Sequence, residues 1–323
     1  MSRYLRPKRD ETYATRVAYG EALAELGAVN SRVVVLDADL MGSTRTDVFA
    51  AKFPERFFEV GISEADMIGV AAGLAHEGFI PFASSFAIFL TGKTYDQIRQ
   101  SVSYSMNPVR LVATHAGLQP GPDGATHQGL EDIALMRAMP GITVIAPADA
   151  VETRKAVFAL ADYHKPVYMR LGRSDWPLLL SDDAPFKIGQ ALALRPGNDL
   201  ALIAYGQLVS FALDAAERLA EQGIRARVLN MSTIEPMDTE AVERAAVETG
   251  ALVVAEEHQA HGGLGEAIAA FLAANGPVPV GFVAMPNSFG ESGTPHELMQ
   301  KYGLTSERIE RTALETLARK RGG

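Results

Sequence analysis

Nine short apolar runs, set apart by longer amphipathic stretches, constrain this chain more than any other feature. They are VVVLDAD (33–39), FIPFASSF (79–86), VRLVATH (109–115), ITVIAPAD (142–149), PVYMRL (166–171), DLALIAYG (199–206), RARVLNMS (225–232), ALVVAEE (251–257) and VPVGFVAM (278–285). Strands this apolar have no water-facing side, which predicts parallel sheets covered on both faces by helices. The intervening stretches, such as YATRVAYGEALAELG and GQLVSFALDAAERLAEQG, carry helical periodicity and several end in glycine, the residue that best tolerates a left-handed helix cap. The predicted fold class is therefore α/β, with two α/β domains, each a mostly parallel sheet flanked by helices. At roughly 150 residues per domain, 323 residues accommodate about two. The segment after Trp176, PLLLSDDAPFKIGQALALRPGND, mixes prolines and paired aspartates without a helical period and reads as a linker. The predicted domains are 1–180 and 190–323.

Composition narrows the function class. Thirty basic against 39 acidic side chains leave a net charge of −9, the wrong sign for a nucleic-acid binder. With no cysteine there is no disulfide framework, thiolate zinc site or cysteine nucleophile. The N-terminus, MSRYLRPKRDETY, lacks the apolar centre of a secretory signal. No apolar stretch approaches the ~20 residues of a membrane helix. A cytoplasmic, soluble protein is expected.

Two irregular stretches interrupt the strand–helix alternation: AGLQPGPDGATHQG (116–129) and AMPNSFGESGTPHE (284–297). The first follows a buried-looking strand, and ligands of open parallel sheets bind beyond the carboxyl ends of strands. It is bracketed by His115 and His127, with Asp123 between them. Their spacing matches no zinc pattern, so no metal is expected. Taken alone, His127 fits a structural helix start as well as a catalytic role. Glu64 opens the alanine-rich helix of FEVGISEADMIGVAAGLA, where an acidic residue suits the helix N-terminus and where it can equally face a site. Arg16, Ser43, Arg170 and Arg173 stand at strand or helix ends; guanidinium forks there match a phosphate, and surface salt bridging is the plainer alternative. Phe86 and Phe89 in SSFAIF read, by themselves, as core. His258 and His261 fit loop or cap roles. HGGLGEAIAAFL is a weak phosphate motif, better read as close helix–strand packing.

Together these pieces resemble the C-terminal half of transketolase, meaning the pyrimidine-binding and C-terminal domains of thiamine-diphosphate enzymes, over roughly Thr12 to Leu317. VGISEADMIGVAAGLA resembles the segment of the family's catalytic glutamate, which maps to Glu64. SSFAIFLTGKTYDQIR resembles the segment whose aromatic ring packs on the cofactor's pyrimidine; Phe89 fits that position best, with Phe86 beside it. THAGLQPGPDGATHQGLEDIALMRAMPGITVIAPAD implies that His115, Asp123 and His127 line the substrate channel. Arg16, Ser43 and Arg173 match positions that, with His115, hold the sugar phosphate. The catalytic set implied is Glu64, His127 and His115.

No GDG motif, the family's diphosphate and magnesium signature, occurs in the chain. The resemblance therefore implies a split transketolase. A separate N-terminal subunit carrying GDG would hold the diphosphate and its Mg2+, in an α2β2 heterotetramer acting on sugar phosphates, and this chain alone would be inactive. A sulfonated sugar suits the same arginines. The competing readings are a 1-deoxy-D-xylulose-5-phosphate synthase-like chain, whose DGxTHQG stretch is very similar; a 2-oxoacid dehydrogenase E1 beta-like subunit, of similar size; and a non-catalytic partner subunit that keeps only the fold. The C-terminal domain offers no chemistry of its own beyond packing.

Overall fold

Each of the nine apolar runs is a strand in the computed structural model, which describes residues 2–6 and 8–322. The first half holds β1 (Thr12–Ala14), β2 (Val33–Asp37), β3 (Phe57–Glu59), β4 (Ile80–Phe86), β5 (Arg110–Thr114), β6 (Thr143–Ile145), β7 (Val167–Arg170) and β8 (Asp175–Pro177). The second holds β9 (Leu192–Arg195), β10 (Leu200–Ala204), β11 (Ala226–Asn230), β12 (Thr233–Glu235), β13 (Leu252–Gln259) and β14 (Val280–Met285). A seven-stranded sheet runs β12-β6-β7-β5-β4-β2-β3, and a five-stranded sheet runs β14-β13-β10-β11-β9. Within these two sheets pairing is parallel except where β12 meets β6 and β9 meets β11. The central strands β2, β4, β5 and β10 are buried at every position, which is why they read as unbroken apolar runs rather than alternating ones.

The two halves are not independent bodies. β12 comes from the second half but completes the edge of the first sheet. One apolar cluster contains Leu36 and Leu111 of the first sheet with Ile203 and Val254 of the second. The N-terminal segment also crosses between halves: the Ser2 amide donates to the Leu194 carbonyl at 3.0 Å, and Arg9 pairs with Asp214 at 2.8 Å and Glu217 at 3.0 Å.

Parallel pairing gives β2, β4, β5 and β7 a common carboxyl edge. The helix Thr15–Val29 precedes β2 and runs back along the sheet, so its first turn, with Arg16, lies at that same edge. Past the end of β4 the chain winds into a wide π-helical turn, Phe89–Lys93. Such turns concentrate at functional sites. Past β5, His115 takes a left-handed conformation at φ 57°, and the chain enters the irregular loop of residues 116–129. Among the described residues, no helix is long and apolar enough to cross a membrane.

Candidate active site

Residues far apart in the chain meet at this edge. The rings of Phe86 and Phe89 stack with centroids 5.8 Å apart and planes 12° apart. On its other side Phe86 stacks on His115 at 3.8 Å, while His127 stands edge-on to Phe89 at 5.3 Å. Phe86 is thus covered, whereas Phe89 stays half-buried. Glu64 opens the helix Glu64–His76 and is buried at 2% exposure. Its carboxylate receives the Lys93 ammonium at 2.5 Å. Lys93 ends the same π-helical turn that begins with Phe89, so one local element carries both the ring and the cation.

The positive groups gather around His115. Arg16 donates from Nε to the Arg173 carbonyl at 3.0 Å and from Nη1 to the Ser43 carbonyl at 2.7 Å. These acceptors are neutral, so they orient the guanidinium without cancelling its charge. Burial, then Arg173 and Arg45, lowers the Arg16 pKa from its ordinary value. Arg173 donates to the Pro120 carbonyl at 2.8 Å and lies 3.5 Å from the exposed Asp123 carboxylate. Burial of the His115 imidazole, with Arg16, Arg173 and His127 nearby, pushes its pKa down to about 3. Its Nδ1 faces the Thr114 hydroxyl at 2.9 Å. Two guanidinium groups beside a neutral imidazole offer positive charge and hydrogen bonds that can hold an anion.

Four features singled out from sequence fall elsewhere. Arg170 does not face the site: it is buried, paired with Asp132 at 2.8 Å and near Glu257 at 3.7 Å. The phosphate reading of Arg170 is thereby corrected, because β7 turns this side chain toward the helix Asp132–Arg137 and β13. His258 lies within β13 and not in a loop, but it fills the cap role expected of it: its Nε2 accepts the Ala134 amide at 3.3 Å in the first turn of that helix. His261 is exposed beside Glu266 at 3.1 Å. At HGGLGEAIAAFL, the Leu264 and Gly265 amides donate to the buried Glu256 carboxylate at 2.8 and 3.0 Å, so this helix start is already occupied by the chain's own anion. His127 stays at the site but lies five residues before the helix it was expected to open, since that helix begins at Asp132. Among the described residues, no three His, Asp or Glu side chains gather as a metal-binding group. Lys93, the partner of Glu64, escaped sequence reading: it stands 29 residues away in a stretch whose turn has no compositional signature.

The transketolase pyrimidine-binding domain model matches residues 11–177, and the transketolase C-terminal domain model matches residues 189–309. The chain belongs to the transketolase family. An apulose-4-phosphate transketolase subunit from Phocaeicola vulgatus is 41% identical over 303 residues, covering 94% of this chain and 97% of the relative. A 6-deoxy-6-sulfo-D-fructose transketolase subunit from a Clostridium species is 42% identical over 310 residues, covering 96% of each. A solved structure described as a split gene transketolase, inactive beta4 tetramer, superimposes with a TM-score of 0.89 at 47% identity, covering 94% of this chain and 98% of that one. The domains of this chain are those of the C-terminal subunit of split transketolases.

Thiamine diphosphate is the coenzyme that the transketolase family implies, and the side chains here fit one half of it. A half-buried aromatic face at Phe89 and a buried carboxylate at Glu64 are the two groups an aminopyrimidine needs: a ring to stack on and an oxygen for a ring nitrogen.

Proposed function

We propose that this chain is the C-terminal (beta) subunit of a split, thiamine-diphosphate-dependent transketolase. It would transfer a two-carbon ketol unit from a ketose phosphate to an aldose acceptor. In this reading residues 1–180 form the pyrimidine-binding domain and residues 190–323 the C-terminal domain. A separate N-terminal subunit with a GDG motif holds the diphosphate and Mg2+, in an α2β2 assembly in the cytoplasm. The observation that carries the reading is the buried Glu64 carboxylate paired with Lys93 of the turn that also carries Phe89, at the sheet edge where Arg16, Arg173 and His115 converge.

Bound thiamine diphosphate supplies a carbon nucleophile and an electron sink for the two-carbon unit. Glu64 holds a proton at the ring nitrogen of its aminopyrimidine. Phe89 offers its half-buried face to the same ring, and Phe86 backs Phe89. Arg16 and Arg173 take the anionic end of the sugar, with the Ser43 segment fixing Arg16 through its carbonyl. His115, neutral at physiological pH, can accept or donate a hydrogen bond to a substrate hydroxyl but brings no extra positive charge. His127 and Asp123 stand where the loop meets solvent and would contact the sugar hydroxyls. His127 is the better placed of the two for proton transfer, beside Phe89.

The test is reconstitution with a GDG-bearing subunit, thiamine diphosphate, Mg2+ and a panel of ketose phosphates alongside sulfonated ketoses. Two-carbon transfer is expected with both chains present and none with this chain alone. Glu64→Gln should keep the circular dichroism spectrum and lower kcat by about 100-fold or more, the range of a positioned acid–base group. Unchanged turnover in Glu64→Gln, or full turnover by the single chain, sinks the proposal.

A further inference from the structure

Of the buried carboxylates that the reaction so described does not use, Glu257 is the one that bonds the loop after His115. Glu257 lies on β13, in the second half, at 2% exposure. It is not required to neutralise Arg170, which already pairs with Asp132 at 2.8 Å and donates to the Glu257 carbonyl at 2.7 Å. Burial pushes the Glu257 carboxyl up to about 7, against the pull of Arg170. A carboxylate kept in so unfavourable a place must be held by what it bonds.

Those bonds run to the substrate loop. Glu257 Oε1 accepts the Leu118 amide at 2.8 Å, and Oε2 lies 3.5 Å from the Gln119 side-chain amide nitrogen. Gln119 in turn accepts the Ser174 amide at 3.1 Å and the Trp176 indole at 3.2 Å. Glu257 is thus linked, through one side chain, to the backbone that follows Arg173 and to the turn that follows His115. Gly117 fits because it has no Cβ: one would collide with the Glu257 carboxyl group. The far end of the loop is gripped from the same half. Gln128 donates to the Glu291 carbonyl at 2.9 Å, and Gly290 packs so closely on the Gln128 amide that a side chain would overlap it.

We propose that Glu257 is a positioning residue for the reaction: from the C-terminal domain, through the Leu118 amide and the Gln119 side chain, it sets where Arg173 and His115 meet the anionic end of the sugar. This rests on the transketolase reading and gives the C-terminal domain a part in substrate recognition beyond packing.

The experiment compares wild type, Glu257→Gln and Gln119→Ala in the reconstituted complex. An aldose acceptor is supplied with and without its phosphate. In Glu257→Gln one of the two oxygens becomes an NH2 that must face either the Leu118 amide or the Gln119 and Arg170 donors, so one side of the link is lost at constant volume and the loop it holds is loosened. Each variant should raise KM for the phosphorylated acceptor about ten-fold, with kcat falling less than about three-fold, as expected for lost positioning of a binding group. KM for the unphosphorylated acceptor should move less than about two-fold. In the chain by itself, the Gly117, Leu118 and Gln119 amides should exchange faster with solvent in Glu257→Gln while those of β10 and β13 do not. Unchanged KM in both variants, an equal rise for both acceptors, or unchanged loop exchange overturns the proposal. If Glu257→Gln fails to fold, Gln119→Ala decides, because it leaves the Glu257–Arg170 contact intact. If the wild-type complex transfers nothing, the functional reading fails, and the exchange measurement still tests Glu257.

Discussion

His115 combines a left-handed backbone at φ 57° with an imidazole only 3% exposed. Non-glycine residues in that conformation are uncommon and are held by surrounding structure; here the Phe86 stack and the Thr114 hydroxyl provide it. With a pKa near 3 in the folded chain and about 6.5 when unfolded, the unfolded state takes up the proton first as pH falls. His115 therefore costs no stability above about pH 6.5 and costs progressively more as pH drops from there toward 3. Its ring signals in a histidine NMR titration should not shift between pH 5 and 8; an inflection near 6.5 would remove it as a neutral hydrogen-bonding group. The candidacy of His115 was legible from sequence, since it ends an apolar strand and starts a glycine-rich loop. Its neutral state was not, because Arg16 and Arg173, which bear on it, come from elements 99 and 58 residues away along the chain.

At the scale of elements, the parallel strands were readable because burial on both faces leaves a continuous apolar signature. The short strands β1, β3, β8, β9 and β12, of three or four residues each, were not: none is buried at every position, so none has the unbroken apolar signature that made the equally short β6 and β7 readable. The π-helical turn after β4 was equally silent, although it delivers both Phe89 and Lys93. The loop of residues 116–129 was flagged by composition, but its rigidity comes from contacts with β13 and with residues 290–293. Two glycines in different elements separate these effects. Gly117, at φ 69° and against Glu257, should lose roughly 3 kcal/mol on substitution by alanine, from backbone strain and overpacking together. Gly73 lies on the exposed face of the helix Glu64–His76 with nothing near its Cβ position, and Gly73→Ala should gain up to about 1 kcal/mol. Urea denaturation of both variants of the isolated chain checks the contrast; equal effects would mean that the loop is not packed as described.

For the whole molecule, the boundary suggested by the proline-rich segment after Trp176 divides the chain without dividing its core. Leu36, Leu111, Ile203 and Val254 share one cluster, β12 completes the first sheet, and Arg9 ties the N-terminal segment to the second half. The two proposed domains should therefore unfold in a single calorimetric transition, with equal calorimetric and van't Hoff enthalpies. Residues 1–180 made alone should lack a cooperative transition; two separate transitions in the full chain would contradict the shared core. What followed from sequence alone was the α/β class, the main strands and the ordered motifs resembling transketolase, because apolar period, glycine punctuation and motif spacing are local properties of a chain. Only the tertiary structure decided that Lys93 meets Glu64, that Arg170 turns inward, and that Glu257 reaches Leu118 across 139 residues. A buried charge chooses its partner by distance in space, and that distance leaves no pattern along the sequence.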